Sequence, residues 1–254
     1  MCISARASVF SFLTNLFSCG ALLKFGRKEL YFYNLLFVIV LIFVSLMQIV
    51  DFGMWIDLDC KIGTNKIASF FGPILNHLQP LVMFTASYML LNYTKVGKEF
   101  YENKLKQLEG TTFDHFNIAK GGFNFIKGLN LVYLIIVVLT LGFYFKKAFT
   151  THPELLCTGT CSIEKTLSWN WFNELDGFPM RIMYFLWNIF IINYLSVNPK
   201  SNYVKLSFIF FYVLLFGALY FKRNSVSEIW CFVVNFGALF LLLIQKLAPE
   251  NYFN

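Results

Sequence analysis

The sequence predicts an all-α integral membrane protein, a seven-transmembrane-helix bundle with its N-terminus outside and its C-terminus inside. Three observations predict it. Apolar residues make up 57% of the 254-residue chain and charged residues only 14%, against roughly 25% charged in a soluble domain. The mean hydropathy is +0.61. The apolar residues gather in blocks close to the ~20 residues that cross a bilayer, and the lysines and arginines collect between the blocks, as they do beside lipid headgroups. The formal charge of +7 therefore points to the lipid bilayer as partner and not to nucleic acid.

The chain reads as a single membrane domain over 1–254. The first block, 3–25, carries Arg6, Thr14 and Asn15 and is the weakest on hydropathy. It reads as a transmembrane helix first and an interfacial helix second. Its basic cluster Lys24, Arg27 and Lys28 follows the apolar stretch instead of preceding it, which argues against a cleaved signal peptide. The second block, 30–56, is the clearest, since nothing more polar than Ser45 interrupts it from Leu35 to Met47. At its end Gln48, Asp51 and Trp55 stand at i, i+3 and i+7, on one helical face. Ionisable and amide groups are costly in hydrocarbon, so that face points inward.

The third block, 67–93, contains Gly72-Pro73-Ile74-Leu75-Asn76-His77-Leu78-Gln79-Pro80. Proline is tolerated in a first helical turn, so two starts are open. A helix beginning at Pro73 places His77 about one turn in, near the depth of Asp51. One beginning at Ile67 makes Pro73 a kink and sets His77 about two turns deeper. Pro80 frees a backbone carbonyl in either case. Residues 95–122 read as an amphipathic inner loop. The remaining spans are 129–145, 178–195, 204–221 and 225–246, with a cysteine-bearing outer loop at 148–177. The fifth span brings Arg181, Trp187 and Asn188 into or near the bilayer.

Orientation follows from the basic residues. Lys24, Arg27, Lys28, Lys95, Lys98, Lys104, Lys106, Lys120, Lys127, Lys200, Lys205 and Lys246 fall on the inner side, 12 of the 21, the direction that the positive-inside rule requires. Cys60, Cys157 and Cys161 then lie outside, where disulfides form. Cys157 and Cys161 could bridge each other only in a tight turn, so Cys60 is expected to pair with one of them.

The opening Met1-Cys2-x-Ser4-Ala5-x-Ala7-Ser8 resembles the start of an uncharacterised family of multi-span membrane proteins of bacteria and large DNA viruses. Gln48-x-x-Asp51-x-x-x-Trp55, Gln79-Pro80, Cys60 and Cys161-Ser162 resemble that family's second span, Gln-Pro pair and outer-loop cysteines. The chain departs from it at Ser168, where the family has a histidine three residues before the tryptophan. The resemblance implies a multi-span membrane fold and marks Cys2, Ser4 and Ser8 as an N-terminal motif; it implies no activity.

Chemistry is constrained mainly by what is missing. His77, His115 and His152 are the three histidines, with no HExxH and no CxxC, so no metal and no cofactor is expected. Retinal would need a lysine inside the last span, where Lys246 stands only at the end, and no carbonyl-filter motif is present. The candidate site is a polar cavity in the outer half built from Gln48, Asp51, Trp55, Asn76, His77, Gln79, Arg181, Trp187 and Asn188. Its leading reading is binding or passage of a small polar solute or proton. The alternatives are a membrane-embedded enzyme using Cys2 or the Asp51 and His77 pair, and a membrane scaffold acting through 95–109.

Overall fold

The computed structural model describes residues 4–99, 102, 114–160, 167–168 and 235–249, with backbone alone for 91, 92, 114–127, 129, 160 and 168. In order, the helices are α1 (Ala5–Phe25), α2 (Tyr31–Trp55), α3 (Thr64–Tyr93), α4 (Asp114–Thr150) and α5 (Gly237–Leu247). A short antiparallel pairing of β1 (Gly159–Thr160) with β2 (Leu167–Ser168) sits in the loop after α4. By length and composition, four helices can cross a membrane: α1, α2, the Thr64–Leu90 part of α3 and the Asn130–Thr150 part of α4. α5 lies in the seventh apolar block. The fifth and sixth blocks lie outside the described residues.

Each helix has a local cause. Ser4 caps α1, its Oγ accepting from Ala7 N at 3.2 Å, which satisfies one of the four backbone donors that a helix start leaves over. α2 has no proline, and from Leu35 to Met47 nothing more polar than Ser45 interrupts it. It ends in the turn 56–63, where Gly63 takes φ 96°, a left-handed conformation that favours glycine. α3 then starts at Thr64, ahead of both expected starts, and keeps Pro73 and Pro80 inside it. Each proline removes one helical N–H, a loss that bundled spans absorb through neighbouring groups. α4 runs 37 residues, about 55 Å. It begins within the stretch read as an amphipathic loop and is much longer than a hydrocarbon core of ~30 Å.

Packing turns the usual polarity inside out. On α1 the buried residues are Ser8, Ser11, Asn15, Ser18, Cys19 and Leu22, whereas Phe10, Leu13 and Phe17 are exposed, Phe17 at 77%. α4 likewise exposes Leu131, Val132, Ile135, Val138, Leu139 and Phe143 while burying Tyr133 and Tyr144. In water such an arrangement would sacrifice the main driving force for folding. In lipid it is the favourable one, because tails solvate the apolar exterior and polar groups find partners between helices. The protein is therefore a membrane-embedded helical bundle.

α1 lies along α2 and α5, α2 against α3, and α4 against α3. One apolar core joins α1, α2, α3 and α5 through Leu22, Leu36, Leu41, Met83 and Leu241. A second joins α2, α3 and α4 to the loop after α4 through Met47, Met54, Ala68, Val137, Ala148 and Leu167. Asn15 ties α1 to α2, its Nδ2 donating to Leu41 O at 3.0 Å.

Arg27 closes the end of the bundle where α1, α2 and α5 meet. Its backbone N donates to Gln245 Oε1 at 2.8 Å, its Nε to Gln245 O at 2.8 Å and its Nη2 to Ala248 O at 2.7 Å. The guanidinium thus caps the carbonyl end of α5, where a positive charge also complements the helix dipole. Gln245 Nε2 donates to Asn34 Oδ1 at 2.6 Å. Gly26 sits in the middle, where a Cβ would collide with Leu22 O, Asn34 Nδ2 and Gln245 Oε1.

Candidate functional site

The opposite end of the bundle is assembled around the α2–α3 turn. Asp57 gathers it: Oδ1 accepts from Ile62 N at 3.0 Å, and Oδ2 accepts from Gly63 N at 2.8 Å and Asn65 N at 3.2 Å. These donors, the Ile62 N–H foremost, hold its carboxyl below the ordinary value of 3.8 while burial pulls the other way. A carboxyl lowered on folding adds stability that is full above its unfolded pKa and fades as pH falls through the folded one. Wild type is therefore expected to melt above Asp57→Asn at about pH 6, with the gap closing below pH ~3.8. Melting curves across that range check it; a gap that ignores pH would show that the charge does not hold the turn.

Asn65 docks the loop after α4 onto this turn. Its Nδ2 donates to Thr158 O at 2.9 Å and its Oδ1 accepts from Thr158 N at 3.0 Å, so one amide grips both backbone groups of one residue. The same side chain donates to Met54 O at 3.3 Å and accepts from Ser69 Oγ at 3.0 Å. Ser69 Oγ also lies 2.8 Å from Thr158 Oγ1. Beside this clamp Cys60 and Cys157 form a disulfide with Cα atoms 6.0 Å apart. The pairing thus falls on Cys157; Cys161 lies outside the described residues.

Inward from the turn stand the polar residues that the sequence singles out. Gln48 is 1% and Asp51 0% exposed on α2, and His77 is 3% exposed on α3, with Gln79 also buried. Trp55 and Asn76 are half-buried. The Trp55 indole N–H is buried without an acceptor among the described residues. His77 Nδ1 is 2.7 Å from Pro73 O. A carbonyl only accepts, so Nδ1 is the donor in this contact. α4 joins here, with Tyr133 Oη donating to His77 O at 3.1 Å and Asn130 buried one turn away.

Helix register separates these groups by depth. A Cβ on Gly53 would lie 3.2 Å from Ala68 Cβ, so these two residues face each other across antiparallel helices. Counting inward from that contact at 1.5 Å per residue, His77 comes level with Val44, about two turns deeper than Asp51. The polar residues therefore form a column along α2 and α3 and not a single ring.

The N-terminal motif divides. Ser4 is a helix cap and Ser8 is buried with its Oγ donating to Ser4 O at 3.4 Å; Cys2 lies outside the described residues, as do Arg181, Trp187 and Asn188. Among the described residues no three His, Cys, Asp or Glu side chains come together as a metal site. Sequence reasoning missed Asp57, Asn65, Ser69 and Thr158. An aspartate just after a helix end and an asparagine at the next helix start are turn and cap signals; nothing in the sequence pointed to Thr158 as the partner. No family model, curated protein or solved structure matches the chain.

Proposed function

We propose that this multi-pass membrane protein has seven spans with the disulfide end outside, and that it binds or passes a small polar solute or a proton through the polar column of that half. The observation that carries the reading is Asp51, a carboxylate with 0% exposure in the most apolar span. Such groups within spans mark solute and proton paths. Gln48 and His77 on the same column, and the buried Trp55 N–H, supply further polar contacts inward and outward of it. His77 adds an imidazole about two turns deeper.

The test is Asp51→Asn in reconstituted vesicles loaded with a pH-reporting dye. The wild type should pass protons down an imposed gradient, read as a change in lumenal pH, well above empty vesicles. The variant should fold and lose at least ~10-fold of that flux, since the amide keeps shape while losing charge. Flux no greater than that of empty vesicles for wild type would sink the reading. So would a large loss of melting temperature in Asp51→Asn that Arg181→Met restores, because removing one partner of a buried ion pair strands the other at about 3–5 kcal/mol.

A further inference from the structure

The Arg27 junction brings together lysines that lie far apart in the chain. Gln245 receives the Arg27 backbone N–H, so Lys28 and Lys246, the next residue on each side, flank one contact made across 218 positions. Lys24 stands one turn back on α1, with its Nζ 5.3 Å from the centre of the Phe25 ring. All three lysines are exposed, and neither Lys28 nor Lys246 has an ion-pair partner among the described residues. Arg27 itself is committed to the α5 carbonyls. Among the described residues Glu29 is the acidic neighbour of Lys28. Lys95 at the end of α3 faces Glu99 at 3.8 Å, and Lys61 at the opposite end of the bundle faces Asp59 at 3.1 Å, so neither offers comparable free charge.

Apolar surface lies alongside this charge. Phe25 is 53% and Leu247 81% exposed, at the very ends of α1 and α5. A site that pairs several ammonium groups with exposed apolar side chains, where spans meet the headgroup layer, matches a molecule with an anionic head and hydrocarbon chains. Basic clusters between helices at a membrane face bind such lipids.

We propose that Lys24, Lys28 and Lys246, gathered by the Arg27–Gln245–Asn34 junction, form a binding site for an anionic phospholipid headgroup, with Phe25 and Leu247 against its acyl chains. The site lies at the end of the bundle away from the disulfide and does not depend on the solute reading. Free phosphate shares the head chemistry but would gain nothing from Phe25 and Leu247.

The test uses the full chain in neutral detergent, with phosphatidylglycerol or phosphatidylcholine titrated in and bound lipid counted by native mass spectrometry. Wild type should retain phosphatidylglycerol over phosphatidylcholine by about tenfold or more at low salt, since each lysine near an anionic head contributes roughly fivefold before screening. Lys24→Gln/Lys28→Gln/Lys246→Gln should lose most of that preference, each single replacement losing part of it, with an unchanged melting temperature in phosphatidylcholine. Lys61→Gln/Lys66→Gln at the other end should keep it. Equal retention of the two lipids by wild type would overturn the proposal, as would an unaltered preference in the triple variant or an equal loss in the Lys61/Lys66 variant. Displacement of phosphatidylglycerol by inorganic phosphate at matching concentration would also overturn it.

Discussion

Asn65→Leu is expected to destabilise the protein by about 2–5 kcal/mol, because it leaves the Thr158 N–H and C=O buried without their partners. Both groups now meet one amide, at 3.0 and 2.9 Å, and Thr158 has no exposed surface through which water could replace it. Leucine fills similar space, so the loss comes from unmade hydrogen bonds and not from a cavity. Asn65→Asp provides the complementary measurement. It keeps the acceptor for Thr158 N–H but sets a carboxylate oxygen against Thr158 O and Met54 O, and should be at least as harmful. Denaturant or thermal unfolding in detergent, with Ser69→Ala as the milder neighbour, checks the order. An Asn65→Leu variant as stable as wild type would mean that the loop after α4 is held by other contacts.

Loss of the Cys60–Cys157 disulfide should lower stability by about 1–3 kcal/mol, less than the chain-entropy figure for a loop of this span. The bridge closes 97 residues of separation, which in a random coil would be a large constraint. In a membrane protein the spans retain much of their order when tertiary contacts fail, so the unfolded state already keeps the two ends close. Cys60→Ser, measured by unfolding and by gel mobility with and without reductant, gives the value. Because Asn65 and the disulfide anchor adjacent residues, the double variant should lose less than the two single losses added together. Strict additivity would show two independent anchors.

The elements that could be read in advance are those whose local sequence leaves no choice. From Leu35 to Met47 α2 is an apolar run broken by nothing more polar than Ser45, and its polar end falls on one face by spacing alone. α1 was harder for a reason the structure makes plain: averaging hydropathy over Ser8, Ser11, Asn15 and Ser18 mixes an inward polar face with an outward apolar one. The start of α3 depended on whether Pro73 opens the helix or sits within it, and the contacts that place the start at Thr64, Asp57 to Asn65 N and the Gly63 turn, lie outside the apolar pattern. The candidate residues on α2 and α3 were legible as buried polar groups, but their separation in depth rests on the Gly53–Ala68 approach. The junction of Arg27, Asn34 and Gln245 spans more than 200 residues, and no local signal announces such a partnership.

The polar face of α1 also bears on how the chain is made. A helix that presents three serines and an asparagine along one side is a poor candidate to leave the translocation machinery for lipid unaided. Asn15 finds its acceptor, Leu41 O, only on the helix that is synthesised next. α1 and α2 are therefore expected to enter the bilayer as one hairpin, the strongly apolar α2 bringing to the first helix the acceptor that Asn15 lacks alone.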